Sequence, residues 1–177
     1  MEKFSYIGKD MKRIDTTHKA TGEALFAADL TLPRMLVGKI LRSPHAHARI
    51  VAIDTAKAEK LPGVKAIVTA NDTCGDKWGV FKYTQDQQFL PTEKVRYVGE
   101  EVAGVAAVDE DTALEALSLI NVTYEVLPAV FTIEEALAPG APQLHDVYPN
   151  NINIHVHIDV GDVEKGFAKS HLVREDT

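Results

Sequence analysis

Five short runs rich in Val, Ile and Ala constrain this chain most: MLVGKILRS (35–43), ARIVAID (48–54), VKAIVT (64–69), EVAGVAAV (101–108) and INVTYEV (120–126). Each has strand length and β-type composition, and each is bounded by a turn residue, an acidic cap or a helical stretch. TAKAEK (55–60) and DEDTALEALSL (109–119) carry helical patterns between them. Asp54 is placed to cap the first helix, and acidic residues gather at the positive N-terminal end of the second. Strands interleaved with short helices in this order predict an α+β or mixed α/β domain.

The other segments are less regular. VRYVG (95–99) reads as a further strand, with Gly99 as a turn before Glu100. Residues 71–94 read as a long polar loop that holds Cys74, Trp78, Phe81 and Tyr83, and a loop of that length in a compact domain is usually functional or held by a partner. Its aromatics are expected either to anchor an interface or to tuck the loop onto its own core. FTIEEALAPG (131–140) predicts a short helix, and APQLHDVYPNN (141–151) a linker. NINIHVHIDVGD (151–162) alternates, with Ile152, Ile154, Val156 and Ile158 on one face and Asn153, His155, His157 and Asp159 on the other. That pattern predicts a strand, followed by a helical turn at VEKGFAKS and another strand beginning at HLVRED.

Composition excludes several classes. The 177 residues carry 19 Lys+Arg against 26 Asp+Glu, a net charge of −7, which argues against nucleic acid as a main partner. No apolar run approaches the roughly 20 residues needed to cross a bilayer. The start, MEKFSYIGKDMKR, lacks the apolar core of a secretory leader, so a cytoplasmic location without membrane contact is expected. The single cysteine cannot form an internal disulfide or hold a cysteine-type zinc or iron–sulfur site.

Two His-x-His pairs, His45/His47 in RSPHAHARI (42–50) and His155/His157, raise a metal reading. Residues two apart on a strand point the same way, so two imidazoles could share one ion. A metal-dependent hydrolase would combine both pairs, with Asp72 or Asp109 as base, but only Asp159 is locally in register as a third ligand and no HExxH, GxSxG, CxxC or phosphate loop is present.

A resemblance gives these segments a different sense. GEALFAADLTLPRMLVGKILRSPHAHARIVAIDTAKAEKLPGVKAIVTAND, VRYVGEEVAGVAAVDEDTALEALSLINVTYEVLPAV, EALAPGAPQLHD and GDVEKGF follow one another as in the N-terminal part of the molybdenum-binding large subunit of the xanthine dehydrogenase and aldehyde oxidase family. RSPHAHARI and GAPQLHD are similar to bacterial members such as 4-hydroxybenzoyl-CoA reductase and xanthine dehydrogenase. Phe26 stands where a tyrosine is common and Glu101 where a proline is frequent. The resemblance implies an α/β hammerhead domain over 22–140, a lead-in over 1–21, and over 141–177 a linker with the truncated start of the molybdopterin-binding domain.

It also implies that catalytic and cofactor-binding residues lie outside this chain. A complete enzyme would hydroxylate a carbon beside a heteroatom or carbonyl with oxygen from water, or run a related reduction. It would use a molybdopterin cofactor, [2Fe-2S] clusters and in many members FAD, the last two on partner subunits or domains. The chain itself is expected to hold no metal and to contribute structure and contacts to the rest of the large subunit. Arg42, His45, His47, Arg49, Gly99, Glu100, Trp78, Phe81 and Tyr83 are the structural or interface candidates. Of the RSPHAHARI residues, the two arginines are expected to matter more than the two histidines, because a guanidinium makes several fixed bonds. A free-standing, non-enzymatic scaffold or interaction module is the alternative, and the reading frame after Thr177 separates the two.

Overall fold

The computed structural model describes residues 4–81 and 84–176. Its strands are β1 (Val37–Arg42), β2 (Ala48–Asp54), β3 (Val64–Val68), β4 (Lys77–Trp78), β5 (Gln87–Gln88), β6 (Lys94–Val95), β7 (Glu101–Ala107) and β8 (Asn121–Val126). Its helices are α1 (Thr16–Thr21), α2 (Ala56–Glu59), α3 (Glu110–Leu119), α4 (Ile133–Leu137) and α5 (Val163–Lys169).

Two antiparallel three-stranded sheets carry the fold, ordered β1-β7-β3 and β6-β2-β8. In the first, β7 lies in the middle, pairing Leu41 with Ala103 on one side and Ile67 with Val105 on the other. In the second, β2 lies in the middle, pairing Arg49 with Lys94 of β6 and with Glu125 of β8. The chain leaves β1 of one sheet and enters β2 of the other through residues 43–47, so this turn ties the sheets together.

Alternation along β7 explains the core. Ala103, Val105 and Ala107 are buried in one cluster with Ala58 of α2 and Ala113 and Ala116 of α3, whereas Val102 is buried in a second cluster with Ala48 and Val95. Alanines on both sides leave no room for water and let the helices lie close to the sheet. The Asp109 carboxylate accepts the Thr112 N–H at 2.7 Å, with Glu110 and Asp111 in the first turn of α3. Asp54 likewise accepts the N–H of Ala56 at 3.0 Å, at the start of α2.

Three expectations need correction. VRYVG is not a strand: only Lys94–Val95 pairs, and the chain then turns through Gly99 at φ 95°. The 71–94 stretch contains a one-turn 3-10 helix (Ala70–Asp72), a two-residue ladder of β4 and β5, and the start of β6. The alternating 151–162 segment and HLVRED form no ladder among the described residues; Ile154, Val156 and Ile158 are 47%, 67% and 79% exposed. Alternation sorts side chains to two faces, but a strand also needs a neighbour for its backbone N–H and C=O groups.

Candidate functional site: a junction of three signature segments

RSPHAHARI, VRYVGEE and APQLHD, far apart in sequence, meet at one place. Ser43, the first residue past β1, donates its backbone N–H to the Glu100 carbonyl at 2.9 Å and accepts the Gly99 N–H at 2.8 Å. Gly99 holds the positive φ that lets its backbone turn back toward Ser43, a conformation L-residues with a side chain seldom adopt. The Ser43 hydroxyl, buried, donates to the His45 carbonyl and accepts the His45 N–H, both at 3.0 Å, which closes the Pro44 turn. Arg42 donates from Nη1 to the Gly99 carbonyl at 2.7 Å and to Glu101 at 2.6 Å.

The two histidines of this turn are both engaged within the domain. His45 sets its ring edge against Tyr124 of β8, with centroids 4.9 Å apart and planes at 71°. His47 is only 5% exposed, and its Nδ1 lies 2.6 Å from the Pro128 carbonyl. A carbonyl can only accept, so the proton sits on Nδ1; Nε2, buried, has no hydrogen-bond partner among the described residues. The His47 carbonyl also takes the Leu127 N–H at 2.9 Å. The arginines are less embedded: the side chains of Arg42 and Arg49 are 55% and 62% exposed, and Arg49 faces its cross-strand partner Glu125 at 3.6 Å. His47 is thus the most enclosed of these four side chains, and burial raises the cost of losing a bond.

The third segment is fastened by residues that the motifs alone do not single out. Arg96 donates from Nε to the Leu144 carbonyl at 3.1 Å and from Nη1 to its neighbour Lys94's carbonyl at 3.1 Å. Lys94, whose side chain is mostly buried, reaches the Gln143 carbonyl at 3.2 Å and Asp146 at 2.9 Å. Asn151 closes the stretch by donating to the Ala136 and Pro142 carbonyls and accepting the Leu144 N–H. His145 Nδ1 lies 3.3 Å from Asp86 of the long loop. The available sequence signal is the polar APQLHD motif itself; in the sequence Lys94 merely precedes, and Arg96 lies within, a strand-like run.

Between these segments opens a cleft of about 390 Å³, lined among others by Trp78, Phe89, Arg96, Tyr97, Glu100 and His145. Trp78 and Phe89 lie nearly parallel, centroids 6.3 Å apart, across the β4–β5 ladder. Burial raises the carboxyl pKa of Glu100, against the opposing pull of the Arg96 N–H and guanidinium. Glu101 is lowered, by its own backbone N–H first and by Arg42. Burial, then the charges of Glu101 and Glu100, raises the Tyr97 phenol, which donates to Glu101 at 3.3 Å. Phe81 is 55% exposed, and Tyr83 lies outside the described residues.

The metal reading finds no support in this arrangement. His45 and His47 are turned to Tyr124 and Pro128, His155 and His157 lie on the exposed 151–162 segment, and no three His, Cys, Asp or Glu side chains among the described residues converge as ligands. The only thiol, Cys74, is exposed and lies 3.0 Å from Asp76. The donor set fits neither a metal centre nor an iron–sulfur cluster. Among the described residues no helix is long and apolar enough to cross a membrane.

Known proteins resemble this chain in sequence and in fold. The family described as "Aldehyde oxidase and xanthine dehydrogenase, a/b hammerhead domain" matches residues 21–128. A probable xanthine dehydrogenase subunit of Bacillus subtilis (strain 168) is 44% identical over 166 residues, covering 93% of this chain and 22% of the relative. The "Nicotinate dehydrogenase large molybdopterin subunit" of Eubacterium barkeri is 37% identical over 177 residues, covering 98% of this chain and 40% of the relative. Among solved structures, quinoline 2-oxidoreductase from Pseudomonas putida 86 superposes with a TM-score of 0.73 at 39% identity, over 82% of this chain and 19% of that one. The chain spans less than half the length of these relatives. It belongs to the aldehyde oxidase and xanthine dehydrogenase family, as an α/β hammerhead domain with flanking segments.

Proposed function

We propose that this chain serves as the hammerhead portion of a molybdenum hydroxylase large subunit and that its task is to dock, not to catalyse. The observation that carries this is its surface. The chain exposes 14226 Å², against about 8,500 Å² for a compact monomer of this mass. The exposed side chains include many apolar ones, among them Leu25, Phe131, Ile133, Ile158 and Val160, each more than 70% exposed. Surface of this kind marks a contact. The polypeptide that covers it is the remainder of the large subunit, which would hold the molybdopterin cofactor and the substrate pocket. Iron–sulfur and FAD-bearing subunits would complete the electron path.

A multi-subunit setting is supported by the relatives, of which the Bacillus subtilis protein is named as one subunit of a probable xanthine dehydrogenase and the Eubacterium barkeri protein as a large molybdopterin subunit. The complete enzyme would insert oxygen from water at a carbon beside a heteroatom or carbonyl, in the cytoplasm. Trp78 and Phe81 fall to the docking surface in this proposal, and Arg42, His45, His47, Arg49, Gly99 and Glu100 to the supporting scaffold; Tyr83 lies outside the described residues.

Co-production tests it. Made together with the polypeptide encoded after Thr177, the chain should purify in a complex with stoichiometric molybdenum by elemental analysis; made alone, it should be colourless. Stoichiometric molybdenum or iron in the chain alone would overturn the proposal, and a stop codon after Thr177 would favour the free-standing module.

A further inference from the structure

The β1-β7-β3 sheet carries its helices on one face. Ala103, Val105 and Ala107 of β7 are buried with Ala58 of α2 and Ala113 and Ala116 of α3, and Lys39 of β1 turns the same way to bond Glu110. The residues that alternate with these look to the other face, which is covered at Val102 by Ala48 and Val95 and open beyond it. There the register sets Ile40, Gly104 and Val68 side by side in one row, and Gly38, Ala106 and Ala66 in the next. Ile40 and Val68, 44% and 41% exposed, thus form walls on either side of a floor without side chains. Strand spacing puts these walls about 10 Å apart. Phe89 and Leu90 help to close the slot, whose volume is about 350 Å³.

The two glycines have no reason within this domain. Gly63 shows what such a reason looks like: its φ is 100°, and a Cβ there would press on Thr112 and Val108 at 3.0 Å. Gly38 and Gly104 have no positive φ; a Cβ at Gly38 would meet nothing within 4 Å, and one at Gly104 only Ile40 Cδ1 at 3.5 Å, an ordinary contact. The irregularities of the two ladders fall elsewhere, at Leu41/Arg42 and Val64/Ala66. Glycine weakens a strand interior, and where no bulge or bend calls for it, it marks the close approach of another group.

We propose that this slot seats one large apolar side chain, aromatic or leucine-like, carried by the remainder of the large subunit; the inference rests on the docking reading given above. The lining decides the chemistry. The Lys39 ammonium is held by Glu110 on the helix side, and the Thr73 hydroxyl is spent on the Ala70 carbonyl at 2.8 Å, so the slot offers an incoming side chain neither charge nor bond. A second copy fits poorly, because a two-fold axis would lay slot on slot and supply no knob. The chain spans 22% of the Bacillus subtilis relative, so in such a protein most of the polypeptide is available to supply one.

The test uses the full chain, alone and co-produced with the polypeptide encoded after Thr177. With the exposed native thiol removed by Cys74→Ser, single thiols are introduced by Ile40→Cys and, separately, Val68→Cys. Their reaction with a maleimide is followed by mass spectrometry of the peptides that carry them. In the complex each should react about tenfold more slowly or less, and in the chain alone freely. Gly38→Val and Gly104→Val form the second arm. Alone, these variants should melt at the parent temperature or about 1–4 °C above it, since valine suits a strand better. In co-production they should recover about tenfold less partner, because the added methyls occupy the seat.

Equal labelling in the complex and alone, or folded valine variants that assemble as well as the parent, overturns this proposal and leaves the docking reading standing. If a valine variant does not fold, the labelling arm decides. Slow labelling of the chain alone also overturns it: independent of concentration, it makes the occupant a segment of this chain, and growing with concentration, a second copy. A parent chain that forms no complex sinks the docking reading and this inference with it.

Discussion

His45/His47 and His155/His157 share a local pattern and differ in everything the fold adds. The first pair lies in the turn that joins the two sheets, with one ring against Tyr124 and the other bonded to the Pro128 carbonyl. The second lies on a segment that alternates as well as any strand in the chain, yet every residue from Ile152 to Val160 is exposed. A two-residue spacing therefore states only that two side chains point alike along an extended chain. What they meet depends on whether other parts of the chain surround them, and here only the first pair is surrounded.

The comparison can be broken most directly at His47. His47→Ala removes a buried bond and leaves the Pro128 carbonyl unsatisfied, so denaturant melts should show a loss of about 2–3 kcal/mol. A loss under about 0.5 kcal/mol would place His47 with the exposed pair. Gly99→Ala follows, at about 1–2 kcal/mol, because its φ of 95° strains any side chain even though the space around it is open. A neutral result there would show that the turn relaxes without loss of the Ser43 clasp.

Next in size is Arg42→Ala, at about 1 kcal/mol, since its two bonds are half-exposed to water. Arg49→Ala should cost less, about 0.5 kcal/mol or under, because its single contact with Glu125 is long and exposed. An Arg49 loss equal to that of His47 would restore the order expected from the sequence. The smallest effect belongs to the second histidine pair. His155→Ala with His157→Ala should leave the melt within about 0.5 kcal/mol of the parent, with or without zinc. A zinc-dependent upward shift lost in that double variant would reopen the metal reading.

The parts of the fold legible in the sequence were those whose cause is local. Asp109 and Asp54 cap helices because a carboxylate two or three residues from a free N–H can reach it, and the runs at 48–54, 64–69 and 120–126 carry β-type composition in their own residues. VRYVG misled because its apolar residues fit a strand, while Gly99 and the bonds to Ser43 impose a turn. The 151–162 segment misled differently: its alternation is real, but no neighbouring strand lies beside it among the described residues. Of the site, RSPHAHARI was legible as a motif. The enclosure of His47 was not, since its hydrogen-bond partners are residues 127 and 128, about eighty positions away.

By itself, then, the sequence determined the strand and helix inventory of residues 48–69 and 101–126, the acidic balance, the lone thiol and the family resemblance. Each rests on residue type, short spacing or motif order. Only the tertiary structure decided that β7 and β2 become the central strands of separate sheets, that three distant motifs close on one another, and that Lys94 and Arg96 fasten residues 143–146 while Asp86 meets His145. The physical reason is that burial and charge environment are properties of what packs around a residue, and those neighbours come from chain segments that no local pattern names.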